Sequence, residues 1–169
     1  GYGYRFRYLK NIMGLWMIQS IRKEFEEEYS YGYLCEQAQK QKIVSLVDCN
    51  DDRFLAPPSM VEAVKEYCRG TGQQVPENEW EIAAVIYNSL GKCYGDTISQ
   101  LEKMTKERYD RIYVVGGGSN AEYLNQVTAE YTGRTVYAGP GEGTAIGNLL
   151  VQMIYNQEFE GLKKARECV

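Results

Sequence analysis

Apolar residues recur at helical spacing along most of the chain. Leu9, Met13 and Trp16 belong to a stripe that predicts one long helix from Tyr8 to about Tyr29. The same pattern predicts further helices over residues 31–41, 60–69, 77–106, 120–132, 144–153 and 159–169. Only residues 112–115 and 135–138 are short, apolar and β-branched enough to be buried strands. The pattern therefore predicts a helix-rich α/β chain with a small sheet.

Each predicted strand ends in a glycine turn that leads into a helix. Gly116-Gly117-Gly118 follows the first strand, and Ser119 or Asn120 is expected to cap the next helix. A second turn, residues 139–143, follows the second strand. Two such units in tandem predict parallel strands, and ligands of parallel sheets bind beyond the carboxyl ends of the strands. Glycines let a flat ligand approach the backbone, so the paired turns favour a nucleotide site over plain structural turns.

Neither turn matches a familiar phosphate-binding motif. No lysine follows the glycines as GxxxxGK[ST] requires, and G-x-G-x-x-G is absent. No acidic residue ends a strand about 20 residues later, as the dinucleotide motif demands. The motifs leave the type of nucleotide open.

Composition excludes several classes of function. A net charge of −4 and a pI near 5.1 argue against non-specific binding to nucleic acid. The chain has no histidine, which removes Ser-His and Cys-His catalysis and histidine-ligated metals. No apolar run approaches the length of a membrane span, and no signal peptide opens the chain. The five cysteines are widely spaced without a CxxC, which favours reduced thiols in the cytoplasm.

An acidic segment, residues 48–53, superficially resembles a calcium loop. It lacks the glycine and the terminal glutamate of an EF-hand at the required spacing. Its aspartates and Asn50 are instead expected to hydrogen-bond to the backbone of an irregular loop. No metal ligand and no catalytic residue is assigned within the chain.

Four separated motifs carry a family resemblance, in matching order along essentially the whole chain: Leu9 to Trp16, Asp48 to Pro57, Val115 to Gln126, and Tyr137 to Leu150. Together they resemble the carboxyl-terminal domain of the FGGY carbohydrate kinases, and within that family the kinases of L-rhamnulose. The resemblance implies the actin/hexokinase-like (ribonuclease H-like) ATPase fold. Residues 1–169 would form one domain, the carboxyl-terminal ATP-binding lobe of a two-domain enzyme, present here as a fragment.

The resemblance also implies an activity and site residues. It implies ATP-dependent phosphorylation of L-rhamnulose at its 1-hydroxyl with Mg²⁺, in rhamnose catabolism. Asn11 matches a position that contacts the sugar, and Gln19 one that contacts ATP. Periodicity alone would make both of them solvated polar residues, but eight residues apart on one predicted helix they fall near the same face. Gly117 matches a nucleotide-contacting glycine, with Gly116, Gly118 and Ser119 shaping the adenosine pocket.

Some parts that the family needs are not found in this sequence. In the family the amino-terminal lobe supplies the phosphate loop, most sugar contacts and the aspartate base, so the chain alone is expected to be inert. The first strands of the carboxyl-terminal domain also have no match, which predicts an exposed apolar face. A second copy could cover that face, leaving a homodimer open. Gly141, Gly143 and Thr135 replace bulkier or more rigid residues of the family.

Two alternatives remain at this point. The chain could belong to an FGGY kinase for another sugar or polyol. It could also be a stand-alone nucleotide-binding or interaction module, which would have a complete and self-sufficient fold.

Overall fold

The computed structural model describes residues 7–169, so the first six residues of the expected domain 1–169 lie outside it. The described elements are helices α1 to α7 and strands β1 and β2. In chain order they are α1 Trp16–Glu24, α2 Tyr31–Gln39, α3 Met60–Gly70, α4 Glu79–Thr105, β1 Arg111–Val114, α5 Glu122–Thr132, β2 Thr135–Ala138, α6 Gly143–Tyr155 and α7 Leu162–Arg166. None of the helices in this part of the chain combines the length and hydropathy needed to cross a membrane.

Helix α1 is much shorter than the sequence predicts. The chain before it is not helical, and Gly14 adopts a left-handed conformation with φ of +60°. At the other end Phe25 is extended, directly before a run of glutamates. Ile12 and Met13 still pack on the core without being helical, which explains why the apolar spacing was misleading. The predicted helix from Tyr8 to Tyr29 is therefore wrong at both ends, and Asn11 does not lie on α1.

Helix α4 runs through the middle of the fold. Its residues 82–87 are all buried, and it packs against α1, α2, α3 and α5. Gly91 and Gly95 both lie inside this single helix. A Cβ on Gly91 would lie 3.0 Å from Val127 Cγ2, and one on Gly95 would lie 3.1 Å from the Tyr131 carbonyl oxygen. Both glycines therefore allow close packing of α5 on α4.

Cap residues in the sequence mark the starts of α2 and α3 and the end of α5. The Ser30 hydroxyl accepts a hydrogen bond from the Tyr33 N–H, and the Ser59 hydroxyl accepts one from Glu62 N–H. Gly133 ends α5 in a left-handed conformation. Serine before a helix and glycine after one are the residue types typical of these positions.

The carboxylate of Glu24 joins the end of α1 to the start of α3. It accepts the Met60 N–H at 2.6 Å and also the hydroxyl hydrogen of Ser59. A negative charge is favourable where the first N–H groups of a helix point out unpaired. Glu24 is therefore a contact between elements and not only part of a solvated acidic face.

The described sheet consists of β1 and β2, which are parallel with Val114 opposite Ala138. Helix α5 connects the two strands and packs on β2. This confirms the prediction of a helix-rich α/β fold with a small parallel sheet. The prediction that the strands are buried is wrong, because every residue of β1 and β2 is exposed or only partly buried.

Large apolar and aromatic side chains of the two strands and of α6 are exposed, which the kinase interpretation expects where missing strands and the other lobe would dock. Tyr113 and Tyr137 stack on each other across the strands with ring centroids 5.2 Å apart, yet they are 62% and 46% exposed. Helix α6 is predominantly apolar, but Leu150 is its one buried residue. We call Tyr113, Tyr137 and the exposed side of α6 the apolar face. Beyond it the final helix spans only Leu162–Arg166, so the predicted helix over residues 159–169 is wrong in length.

Candidate functional site

The two glycine turns lie side by side at the carboxyl ends of the strands. Gly116, with φ of +79°, donates its N–H to the Pro140 carbonyl at 3.2 Å. Gly139 donates its N–H to the Val114 carbonyl at 2.8 Å. These bonds join the turn after β1 to the turn after β2. The turns are therefore neighbours in space, as parallel pairing predicts.

Ser119 closes the first turn instead of capping a helix. Its buried hydroxyl donates to the Gly116 carbonyl at 2.7 Å, and its own carbonyl accepts the Asn125 amide N–H at 2.9 Å. A 3₁₀ turn, Gly117–Asn120, intervenes, and Ala121 precedes α5 without a side-chain cap. The prediction that Ser119 or Asn120 caps this helix is therefore wrong, because the hydroxyl is used within the turn.

The three glycines of this turn have different surroundings. A Cβ on Gly118 would touch Leu15 Cδ1 at 3.4 Å, so Gly118 packs against the segment before α1. A Cβ on Gly117 would meet no atom within 4 Å. Gly117 therefore faces open space that a ligand can occupy, whereas Gly116 is held by its positive φ.

A cavity of about 450 Å³ contains that open space, within the usual range of about 300–1,000 Å³ for small-molecule sites. It brings together two predicted site residues, Gln19 from α1 and Gly117 from the first turn. Burial raises the pKa of Tyr87, so its phenol stays neutral in the cavity wall. The remaining lining residues are mostly apolar or small: Leu15, Ile18, Tyr31, Gly32, Asn120 and Ala121. A largely apolar wall with a few polar groups fits the flat base and ribose of a nucleoside.

Tyr31 is a cavity residue that the sequence interpretation missed. It begins α2, is 49% exposed, and has the Arg22 guanidinium 4.6 Å from its ring centroid. The chain's 15 tyrosines are scattered, so residue type alone did not single it out. The adjacent Gly32 also lines the cavity, but neither residue carries a local signal that marks it as part of a site.

Asn11 lies apart from this cavity. It is exposed, and it precedes α1 in a non-helical segment. Its neighbour Lys10 donates to the Gln100 side chain at 2.9 Å and lines a different, more polar cavity. The expectation that Asn11 and Gln19 share one helix face is wrong, because the left-handed Gly14 separates them.

The side chains of Asp48 and Asp51 hydrogen-bond to the backbone of their own loop, as predicted, whereas the Asn50 side chain donates to Cys93 Sγ instead. Asp48 Oδ1 accepts the Asn50 N–H at 2.9 Å, and Asp51 Oδ1 accepts the Arg53 N–H at 3.0 Å. The contacts with Arg53 hold the pKa of the Asp51 carboxyl below its ordinary value. Across residues 7–169 no group of three or more Cys, Asp or Glu side chains is arranged to hold a metal ion.

Comparison with known proteins identifies the family. Residues 1–155 match the model of the FGGY family of carbohydrate kinases, C-terminal domain. The chain is 44% identical over 169 residues to a protein named rhamnulokinase from Oceanobacillus iheyensis, covering 100% of this chain and 36% of that protein. It is 41% identical over 164 residues to the rhamnulokinase of Bacillus subtilis, covering 96% of this chain and 34% of that protein. It is 36% identical over 165 residues to the rhamnulokinase of Klebsiella pneumoniae, covering 98% of this chain and 34% of that protein.

The chain therefore spans about a third of the length of the curated relatives it matches. The family match agrees with the paired glycine turns at the strand ends and with the small parallel sheet between helices. The fold is that of the actin/hexokinase-like ATPases. By sequence and by fold, this chain belongs to the FGGY family of carbohydrate kinases and corresponds to its carboxyl-terminal domain.

Proposed function

We propose that residues 1–169 form the carboxyl-terminal ATP-binding lobe of a two-domain kinase that transfers phosphate from ATP to the 1-hydroxyl of L-rhamnulose. Family membership and the names of the relatives support this class of reaction. The observation that carries the nucleotide part is the cavity shared by Gln19 and Gly117. We assign the reaction to the cytoplasm, where ATP is available, and to the catabolism of rhamnose.

The proposed nucleotide arrangement follows from the cavity lining. Adenosine lies along Gly117, where the missing side chain leaves room, and the Gln19 amide supplies a polar contact from the opposite element. Gly116, Gly118 and Ser119 act indirectly, because they keep the turn in the shape that exposes Gly117. The Tyr31 ring offers a flat surface for the base.

Other parts of the proposed enzyme come from outside this chain. Asn11, exposed before α1, is proposed to contact the sugar once the amino-terminal lobe closes over it. No group of three or more Cys, Asp or Glu side chains among residues 7–169 is arranged to hold a metal ion, and we derive no step through Mg²⁺. The general base also belongs to the amino-terminal lobe. We expect no turnover of rhamnulose by the isolated chain, and a coupled assay that detected turnover would contradict this.

A nucleotide titration tests the cavity directly. Trp16 lies one helical turn from Gln19, so its fluorescence should change as ADP or ATP binds. The variant Gly117→Val should raise the dissociation constant at least about tenfold, a change of about 1.4 kcal/mol, because its side chain fills the ligand's space. A Cβ at this position meets no protein atom, so the thermal midpoint should hardly change.

A matched control is available elsewhere in the fold. Gly70, at the end of α3, also has open space around its Cβ position but lies outside the cavity. Gly70→Val should therefore leave nucleotide affinity unchanged. Equal affinity of both variants and the parent protein would contradict a nucleotide at Gly117.

A substrate panel on the full-length enzyme tests the sugar. We expect L-rhamnulose to give the highest kcat/KM among ketoses and polyols, with a loss in Asn11→Ala expressed mainly in KM for the sugar. Xylulose or glycerol outperforming rhamnulose would move the assignment to another FGGY kinase.

The second candidate function is a stand-alone nucleotide-binding or interaction module. In its favour, residues of α1, α2, α4 and the first glycine turn form a concave site of about 450 Å³. Against the module, the exposed apolar face is expected to be covered by a partner, either the amino-terminal lobe or a second copy in a homodimer. Tight nucleotide binding by a monomeric isolated chain, without activity after addition of the amino-terminal lobe, would favour the module.

A further inference from the structure

Two thiols outside the nucleotide cavity belong to neighbouring segments. In residues 43–49 the buried side chains alternate with more exposed ones: Ile43, Ser45, Val47 and Cys49 point inward. This alternation is typical of an extended chain, so the side chains of Val47 and Cys49 lie on one face. The segment lies against α4, because the Val47 N–H donates to the buried Ser89 hydroxyl at 2.9 Å.

Both cysteines follow the contact between Val47 and Ser89 by a few residues. Cys49 lies two residues beyond Val47, in the turn that the Asp51 N–H closes by donating to the Asp48 carbonyl at 3.0 Å. Cys93 lies four residues beyond Ser89 on α4, about 6 Å along the helix. The hydrogen bond between Val47 and Ser89 therefore places Cys49 near the level of Cys93 along α4.

A second contact confirms this register. The Asn50 side-chain amide, on the residue after Cys49, donates to Cys93 Sγ at 3.3 Å. Both cysteines also line one cavity, of about 470 Å³, that opens to solvent. Cys93 is partly exposed there, whereas Cys49 is 1% exposed. Burial, and next the neighbouring Cys93, raise the pKa of the Cys49 thiol to about 12.

We propose that Cys49 and Cys93 are a modification site, a thiol pair that closes to an intramolecular disulfide when a small hydroperoxide enters the cavity. This goes beyond the proposed kinase function and does not depend on it. The cavity is large enough for hydrogen peroxide, and it exposes the Cys93 sulfur first.

The steps balance with one peroxide per pair. The Cys93 thiolate attacks a peroxide oxygen, the O–O bond breaks, and Cys93 becomes a sulfenic acid while hydroxide leaves and takes up the thiol proton as water. Cys49 sulfur then attacks the sulfenic sulfur, an S–S bond forms, and a second water leaves with the Cys49 proton. Two thiols are oxidised and one peroxide is reduced to two waters. Because burial disfavours the Cys49 thiolate, closure should quicken as the pH rises.

Mass spectrometry of the oxidised protein tests the proposal. The purified full-length protein is treated with hydrogen peroxide at equimolar to fivefold excess, its remaining thiols are alkylated, and it is digested without reduction. We expect one crosslinked peptide pair containing Cys49 and Cys93 and lacking two hydrogens, which dithiothreitol separates again. Cys35 and Cys68, which are buried outside this cavity, should be recovered alkylated after denaturation.

Variants provide the controls. Cys93→Ala should abolish the crosslink and leave Cys49 reduced, and Cys49→Ala should leave Cys93 as a sulfenic acid that dimedone traps. Cys35→Ser should keep the crosslink. Oxidation of Cys93 to a sulfinic acid in the parent protein with Cys49 still free, or crosslinks that join other cysteines, would overturn the proposal. The crosslinks found in the parent protein are sufficient to test the proposal, even if a variant folds poorly.

Discussion

At the scale of single residues, the position of a glycine in the tertiary structure decides its role. Gly116 is needed for its positive φ, Gly117 for the ligand space beside it, and Gly118 for the contact with Leu15. The sequence predicted that the triplet mattered but could not separate the three roles. Gly143, which looked like a loosening departure from the family, lies against the side chain of Val115, where its Cβ would be 3.1 Å from Val115 Cβ.

A prediction at this scale concerns Gly91. Its added Cβ would press on Val127 Cγ2 at 3.0 Å and on Val127 carbonyl carbon at 3.2 Å, so the backbone of α5 would have to move. We expect Gly91→Ala to lower the free energy of unfolding by up to about 2 kcal/mol, because the cost of overpacking, about 1–3 kcal/mol, is offset in part by a helix-propensity gain of about 1 kcal/mol. Urea denaturation measures this.

The matched substitution is Gly70→Ala, where nothing lies within 4 Å of the new Cβ. It should stay within about 0.5 kcal/mol of the parent protein. Equal midpoints for Gly91→Ala and the parent would show that α5 does not pack on α4 as closely as described.

At the scale of elements, a few polar contacts set how helices and strands join. Glu102, near the end of α4, accepts the Tyr109 N–H at 3.0 Å and the Arg134 guanidinium at 2.9 Å. Arg134 lies between α5 and β2, so this contact links α4 to the entry of the second strand. The pairing of Glu102 with Arg134 could not be predicted from the sequence, because 32 positions separate the two residues.

The second prediction is a pH dependence of this contact. The Tyr109 N–H and the Arg134 guanidinium hold the pKa of Glu102 below its ordinary value of 4.5. A lowered pKa contributes stability that is complete above about pH 4.5 and is lost as the pH falls through the lowered value. Glu102→Gln should therefore be less stable than the parent protein at pH 7, and the difference should shrink as the pH falls below 4.5.

Urea midpoints between pH 7 and pH 3 measure that difference. Glu107→Gln, which changes an exposed carboxylate nearby, serves as the control and should follow the parent protein throughout. A constant gap between Glu102→Gln and the parent at every pH would contradict an ionised Glu102 as the cause.

At the scale of the whole molecule, burial is uneven. The helices around α4 form a closed core, whereas β1, β2 and α6 contribute the apolar face. Leu149 and Tyr155 of α6 are 57% and 87% exposed. An apolar helix in that position needs a covering partner, because so much apolar surface in water is unfavourable.

The third prediction follows from this asymmetry. In the isolated chain, amide hydrogens of α6 and of both strands should exchange much faster than those of α4, since few tertiary contacts protect them. In the full-length protein the same amides should slow at least about tenfold while α4 changes little. Hydrogen exchange followed by mass spectrometry measures both, and uniform protection in the isolated chain would support a self-sufficient module instead.

The sequence by itself determined the type and order of most elements. Helical apolar spacing, serine caps before α2 and α3, and β-branched runs ending in glycines are local signals, and local signals suffice for elements whose ends are capped. They also sufficed for the parallel pairing of β1 and β2, since two strand–turn–helix units in tandem leave few topologies. The resemblance, not the periodicity, supplied Gln19 and Gly117.

Only the tertiary structure decided what lies next to what. The length of α1 depended on the left-handed Gly14 and on apolar residues that pack without being helical. The use of the Ser119 hydroxyl inside its turn, and the meeting of Gln19 with Gly117 and Tyr31, depend on contacts between distant parts of the chain. Such contacts leave no periodic trace in a single sequence, because each is set by the packing of whole elements and not by the residues beside it.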